Sequence, residues 1–243
     1  MSRRRELSPA ALRERMVDRQ IEIRGVRDQA VLSAMRKVPR ERFVPESLAE
    51  LAYTDRPLPI GEGQTISQPY IVAMMTDALT LRPHDRVLEI GTGSGYGAAV
   101  LSVLVAEVDT IERLEELAES ARTRLVELGY ANVHVRHGDG SLGWPAHAPY
   151  DAIVVTASGP DVPTALLEQL AIGGRLVMPI GNRDRQRLVR VERTGPERYT
   201  REILEAVVFV PLIGAQGWNE TGDEPAPTPA GSARPSTGAS TVS

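Results

Sequence analysis

The segment with the clearest chemical content is Glu89-Ile90-Gly91-Thr92-Gly93-Ser94-Gly95, in which an acid precedes three alternating glycines. Glycines at this spacing let a backbone turn sharply and approach a ligand closely. A second acid, Glu112, and a third, Asp139 with Gly140 after it, follow where later strands should end. A carboxylate at the end of the next strand can accept both hydroxyls of a ribose. Asp139 can accept from an adenine amino group while the Gly140 N–H donates to a ring nitrogen. Each acid also has a plainer reading. Glu112 can be a helix-start residue favoured by the local dipole, and Asp139 can belong to an ordinary Asp-Gly turn. The glycine loop upstream favours the ribose role for Glu112.

Two cofactor classes fit this loop. The dinucleotide fingerprint G-x-G-x-x-G/A fails from Gly91, where Tyr96 takes the third glycine's place. It passes only in degenerate form from Gly93, with Ala98 last. The alternative, E-x-G-x-G-x-G, is the loop of S-adenosylmethionine-dependent methyltransferases, and Glu89, Gly91, Gly93 and Gly95 meet it in full. A carboxylate at position 89 suits a ligand with an ammonium and a sulfonium and would repel a pyrophosphate, so the methyl donor is favoured over NAD.

The elements that must position these residues follow from periodicity. Residues 86–90 read as a buried strand, 96–105 as a helix, 107–111 as a strand, and 114–128 as a helix stopped by Gly129. Strands are expected at 133–136, 150–156 and 175–179, with a helix at 163–170. Strands alternating with helices imply βαβ units and a mostly parallel, doubly wound α/β sheet covered on both faces. After Gly181 two strands, 187–192 and 202–212, are joined through Thr194-Gly195-Pro196, which fits antiparallel pairing at one edge. Residues 1–60 read as an N-terminal helical addition. One helix stops at Gly25, a second is capped by Asp28, and a third, short one spans 46–53. Residues 57–63 are turn-rich and lead to a helix over 69–79. The core is expected at 61–213. Residues 214–243, made largely of Gly, Pro, Ser, Thr and Ala, are expected to form a disordered tail in which Trp218 alone can pack back.

Composition narrows the function classes. The 243 residues carry 28 Lys+Arg against 32 Asp+Glu, a net charge of −4, and only 4% aromatics. No basic excess or stacking platform argues for nucleic acid as a partner. The local run Arg183, Arg185, Arg187 and Arg190 reads as a charge-guarded edge strand rather than an RNA site. With no cysteine, disulfide scaffolds, thiolate metal sites and cysteine nucleophiles are excluded. His84, His134, His137 and His147 show no H-x-x-x-H spacing, so no metal is expected. The longest apolar stretch, 98–106, falls far short of the ~20 residues of a spanning helix. A soluble, cytoplasmic protein without a membrane partner is the expectation.

Several segments together resemble the protein-L-isoaspartate O-methyltransferase family. They are Val38-Pro39-Arg40-Glu41-Arg42-Phe43-Val44, Gly61-Glu62-Gly63-Gln64-Thr65-Ile66-Ser67-Gln68-Pro69, and residues 87–96. Arg136-His137-Gly138-Asp139-Gly140, residues 148–153 and Phe209-Val210-Pro211-Leu212 complete the set. The match runs in order over about residues 10–213. Gln-Thr-Ile-Ser-Gln-Pro is its most specific part, whereas many methyltransferases share the glycine loop.

The resemblance implies a Rossmann-like methyltransferase fold and isoaspartyl-containing proteins and peptides as substrates. It implies methyl transfer from S-adenosyl-L-methionine, leaving S-adenosyl-L-homocysteine, to the α-carboxylate of L-isoaspartyl residues, as a protein-repair activity of a monomer. On the same basis Ser67 matches the active-site serine, Thr65 and Ile66 line its pocket, and Val210 to Leu212 help hold the substrate backbone. Glu89, Gly91, Gly93, Gly95, Glu112, Asp139 and Gly140 match cofactor positions. Thr156-Ala157-Ser158-Gly159-Pro160 departs from the usually Ala-rich segment of the family. Ser67 taken alone reads as a helix N-cap before Gln68-Pro69. With the resemblance it becomes a hydrogen-bonding positioner of the substrate carboxylate.

Overall fold

A computed structural model of the chain describes residues 7–182 and 184–226. Arg183 of the basic run lies outside the described residues.

Seven strands form one sheet in the order β5-β4-β3-β6-β7-β8-β9. They are β3 (Arg86–Ile90), β4 (Glu107–Glu112), β5 (Val133–His137), β6 (Tyr150–Val155), β7 (Leu170–Gly181), β8 (Gln186–Gly195) and β9 (Arg198–Val207). Strands β5 to β7 in that order are parallel, and β8 and β9 add antiparallel at one edge. The chain runs outward from β3 to β5, then returns to place β6 on the other side of β3. The crevice at the carboxyl ends of β3 and β6 is therefore the switch point where open α/β sheets bind ligands. The glycine loop leaves β3 at that point.

The sheet is buried on both faces because its central strands are apolar on both sides. In β3, Val87 belongs to one apolar cluster with Met16, Leu32, Met35, Phe43 and Leu101. Its neighbour Leu88 belongs to another with Ile153, Leu166, Leu176 and Met178. The N-terminal helices thus share a core with the sheet.

Helix α1 (Pro9–Met16) is capped by Ser8, whose Oγ accepts from Ala11 N. A π-turn and a 3-10 turn extend it to Gly25, which sits at φ +105°. Asp28 caps α2 (Gln29–Lys37), accepting from Ala30 N at 2.7 Å. Helix α3 spans Pro69–Leu79, α4 Tyr96–Ser102, α5 Glu115–Glu127 and α6 Thr164–Gln169.

Several sequence expectations need correcting. The strand expected over 202–212 is β9 at Arg198–Val207, because the chain pairs with β8 directly from the turn at Gly195, and residues 208–212 lie beyond it. The turn-rich stretch before Ser67 is a small hairpin, β1 (Leu58–Gly61) and β2 (Gln64–Ile66), closed by Glu62 and Gly63 at positive φ. The strand expected at 175–179 starts earlier, at Leu170, and absorbs Gly173-Gly174 as an irregularity opposite β6. The segment from Gly214 to Ala226 lies against the domain rather than starting a tail. Trp218 is 9% exposed and donates from Nε1 to Ser158 O at 2.8 Å. The segment's main-chain N–H groups find acceptors in the neighbouring loops, Trp218 N on Leu212 O, Ala215 N on Asp139 Oδ2 and Gln216 N on Ser141 Oγ. The remainder of the expected tail, 227–243, lies outside the described residues.

Candidate active site

The glycine loop is held from below. Gly91, Gly93 and Gly95 have φ of +93°, +53° and +89°, a region that residues with a Cβ rarely adopt. Gly91 N donates to Ile111 O at 2.8 Å, and Gly95 N donates to Thr92 O at 2.9 Å. A Cβ on Gly91 would sit 2.3 Å from Thr156 Oγ1, the hydroxyl that donates to Ile90 O and Gly91 O. Close packing and handedness thus both call for glycine at 91. Hairpin β1–β2 covers the loop, and a Cβ on Gly93 would meet Ile60 Cδ1 at 3.2 Å.

Glu112 ends β4 and is 7% exposed. Its Oε2 accepts from Gly93 N at 2.8 Å and its Oε1 from Leu114 N at 3.1 Å. The same carboxylate therefore shapes the loop, and each oxygen keeps a second lone pair.

Glu89 lies beneath the glycine loop. It is 1% exposed, and its Oε2 accepts from Thr110 Oγ1 at 2.7 Å. Thr110 Oγ1 in turn lies 2.7 Å from Thr92 Oγ1, inside the glycine loop. A Cβ on Gly97 would lie 2.2 Å from Glu89 Oε1, so the glycine two residues beyond the loop makes room for this acid. Burial pushes the Glu89 carboxyl up to about 8, against the Thr110 hydrogen bond and with help from nearby Glu112.

Asp139 follows β5 and caps a 3-10 turn, Gly140–Leu142. Its Oδ1 accepts from Ser141 N at 2.9 Å and Ser141 Oγ at 2.7 Å. Its Oδ2 accepts from Ala215 N at 2.7 Å, while Gln216 N donates to Ser141 Oγ at 2.9 Å. Gly140 is buried against Ile90, whose Cγ2 would be 2.4 Å from an added Cβ. The three acids thus stand at the carboxyl ends of β3, β4 and β5, as the sequence suggests. The crossing of Asp139 by residues 214–216 was not legible in a stretch of small residues.

On the acceptor side, Ser67 joins β2 to α3 and is half-buried. The N-cap position of α3 is Gln68, with no side-chain cap bond. Asp55 Oδ1 instead accepts from Tyr70 N at 3.4 Å. Ser67 O accepts from Arg40 Nη2 at 2.8 Å. Thr65 is exposed, whereas Ile66 is buried in the first apolar cluster.

Val210 O accepts from Ser158 N, and Leu212 N donates to Ser158 O, both at 2.8 Å. Gln186 fastens Phe209 at both backbone groups. The Leu212 side chain is 5% exposed in the second apolar cluster, so this residue offers a fixed backbone rather than a contacting side chain. Sequence reading missed Thr110, Thr156 and Ser158. Each looks like an ordinary β-strand or loop hydroxyl until its partner is seen.

Comparison with known proteins bears on this site. Residues 11–217 match the family described as protein-L-isoaspartate(D-aspartate) O-methyltransferase. The chain belongs to this family. It is 63% identical over 207 residues to protein-L-isoaspartate O-methyltransferase 2 of Pelobacter propionicus, covering 85% of this chain and 92% of that one. It is 61% identical over 217 residues to protein-L-isoaspartate O-methyltransferase 1 of Rhodopseudomonas palustris, covering 89% of each.

Among solved structures, a protein-L-isoaspartate O-methyltransferase superposes with a TM-score of 0.76 at 32% identity, over 84% of this chain and 67% of that one. A Plasmodium falciparum structure assigned to the same activity and solved with S-adenosyl-L-homocysteine gives 0.72 at 25% identity, over 83% and 98%. The Rossmann-like methyltransferase fold expected from the sequence is the fold of these neighbours. The donor set fits their ligand class. Three glycines at positive φ, each packed against the protein on its Cβ side, turn the backbone between β3 and α4, and Glu112 accepts from Gly93 N within that turn. No group of three or more His, Cys, Asp or Glu among the described residues could hold a metal ion. No helix among them is long and apolar enough to cross a membrane.

Proposed function

We propose that this protein transfers a methyl group from S-adenosyl-L-methionine to the α-carboxylate of L-isoaspartyl residues in damaged proteins and peptides. The observation that carries the reading is the pairing of a fixed glycine cradle at the β3–β6 switch point with the Ser67 segment, in a chain of this family. The bound donor supplies a methyl group on a sulfonium, which is already an activated leaving group.

The chain's own residues have three tasks. Glu112 accepts from ribose hydroxyls with the lone pairs left free by Gly93 N and Leu114 N. Asp139 and the Gly140 N–H meet the adenine edge, and Asp139 Oδ2 retains a lone pair beside its bond from Ala215 N. Glu89 acts on the loop through Thr110 and Thr92.

Ser67 Oγ donates to the substrate carboxylate and orients it. Thr65 faces the same side as the incoming peptide, Ile66 supports it from the core, and the backbone of 210–212 fixes the peptide's path. A carboxylate has an ordinary pKa near ~4 and attacks as the anion at neutral pH, so no general base is needed. Alignment of the reacting atoms and exclusion of water are what the site must provide. The balanced charge supports a protein or peptide rather than a nucleic acid as substrate. We place the enzyme in the cytoplasm as a monomer.

The test is a methyl-transfer assay on two peptides that differ only in Asp against isoAsp. Methylation of the isoAsp peptide alone is expected. A protein that binds S-adenosylmethionine but methylates neither peptide would overturn the reading.

A further inference from the structure

One fully buried cation touches both halves of the site. Arg40 opens the 3-10 turn Arg40–Phe43 and is 0% exposed. Its Nε donates to Ala52 O and its Nη2 to Ser67 O, each at 2.8 Å. Its Nη1 is buried without a hydrogen-bond partner among the described residues. The guanidinium also lies over the Tyr96 ring, 4.8 Å from its centroid. Tyr96 is the first residue of α4, directly after Gly95, and Phe43 meets it edge-on at 5.6 Å.

A fully buried guanidinium with no carboxylate partner, held by two carbonyls and a tyrosine, is a poor device for stability. An apolar side chain of similar volume would fill the same space without desolvating a charge. What an apolar residue could not do is hold the Ser67 carbonyl and rest on the first side chain of the cofactor helix together.

We propose that Arg40 is a positioning residue for methyl transfer. It sets the distance between the Ser67 segment, which carries the acceptor, and the start of α4, which carries the donor. The inference rests on the functional reading above. In-line displacement is sensitive to this distance, because a misplacement of about 1 Å can cost ~10²-fold in rate. Arginine suits the role through its planar fork, which reaches two carbonyls, and its flat face, which rests on an aromatic ring. Lysine can keep the charge and one carbonyl but not both contacts.

The experiment compares wild type, Arg40→Lys, Arg40→Met and Val191→Ala by isoAsp-peptide kinetics, S-adenosylhomocysteine calorimetry and thermal melting. Val191 is a core residue of β8, 3% exposed, and serves as a control for lost stability alone. Arg40→Lys should lower kcat by about tenfold or more, with peptide KM and product affinity changed by less than about threefold. Arg40→Met should lower kcat further. Val191→Ala should melt earlier with kcat and KM unchanged.

An active wild type with wild-type kcat in Arg40→Lys would overturn the inference alone. A wild type inactive on the isoAsp peptide would overturn the functional reading and the inference with it. If neither Arg40 variant folds, Tyr96→Leu decides, since it removes the ring but leaves both carbonyl bonds. A lowered kcat with unchanged peptide KM supports the proposal, and unchanged kcat overturns it.

Discussion

At Ser67 two roles compete, and geometry separates them. A serine that caps a helix accepts from an N–H in the first turn, and its loss costs about 1 kcal/mol. Here the cap position falls on Gln68, and Asp55 accepts from Tyr70 N instead. Ser67→Ala should therefore leave the melting temperature close to wild type while kcat falls by ~10²-fold, the usual effect of losing one preorganised donor. Equal losses of stability and turnover would return Ser67 to a structural role. Glu112 carries two tasks in one carboxylate. Glu112→Gln keeps the volume but can accept from only one of Gly93 N and Leu114 N without repelling the other. Hydrogen bonds to a charged group contribute about 1.5–3 kcal/mol each, so S-adenosylhomocysteine should bind ~10-fold or more weakly by calorimetry. An unchanged dissociation constant would remove Glu112 from the ribose site. The places of Glu112 and Asp139 were legible because the glycine loop upstream marks which strand ends face the crevice. Thr110 was not, because a threonine inside a strand is what β-propensity already expects.

The elements differ in how plainly the sequence announces them. Helix α3 and strand β3 lie where periodicity puts them, since proline opens one and Val87, Leu88 and Ile90, broken only by Glu89, mark the other. Hairpin β1–β2 escaped because strands of four and three residues are too short for alternation to show, and Pro59 within it reads as turn. Helix α4 ends at Ser102 rather than near 105, because Val103 to Val105 turn off through short-range bonds. The glycine loop was read as flexible backbone approaching a ligand, but its glycines are also packing requirements. Gly91→Ala must escape a 2.3 Å contact with Thr156 Oγ1 and adopt a strained φ. Such strain costs about 1–3 kcal/mol, and the loop can relieve the contact only by moving away from Thr156. The variant should melt earlier and lose measurable cofactor binding. Thr156→Ala in the same chain should restore part of the stability, because it removes the contact but not the handedness. No recovery in the double variant would mean that the φ alone sets the cost.

Across the whole molecule, the parallel sheet and its antiparallel edge were readable from alternation, but the strand order was not. Order depends on which face each crossover takes, and that is decided by packing far apart in sequence. One consequence of this packing is that Glu89 is sealed beneath the glycine loop by strands on both sides. Its folded-state pKa of about 8 stands above the ordinary 4.5 that it regains on unfolding. Between those values the native state holds a proton that the unfolded chain has released. Stability from this group is therefore complete below about pH 4.5 and falls as pH rises toward 8, by at most ~1.4 kcal/mol per pH unit. Glu89→Gln keeps the acceptor for Thr110 and removes the titration. Its melting temperature relative to wild type should rise steadily from pH 5 to pH 8, in a difference curve that cancels every other titrating group. Parallel melting curves across that range would mean that Glu89 stays ionised under the loop. The Thr110–Thr92 chain would then be holding a charge rather than a neutral acid.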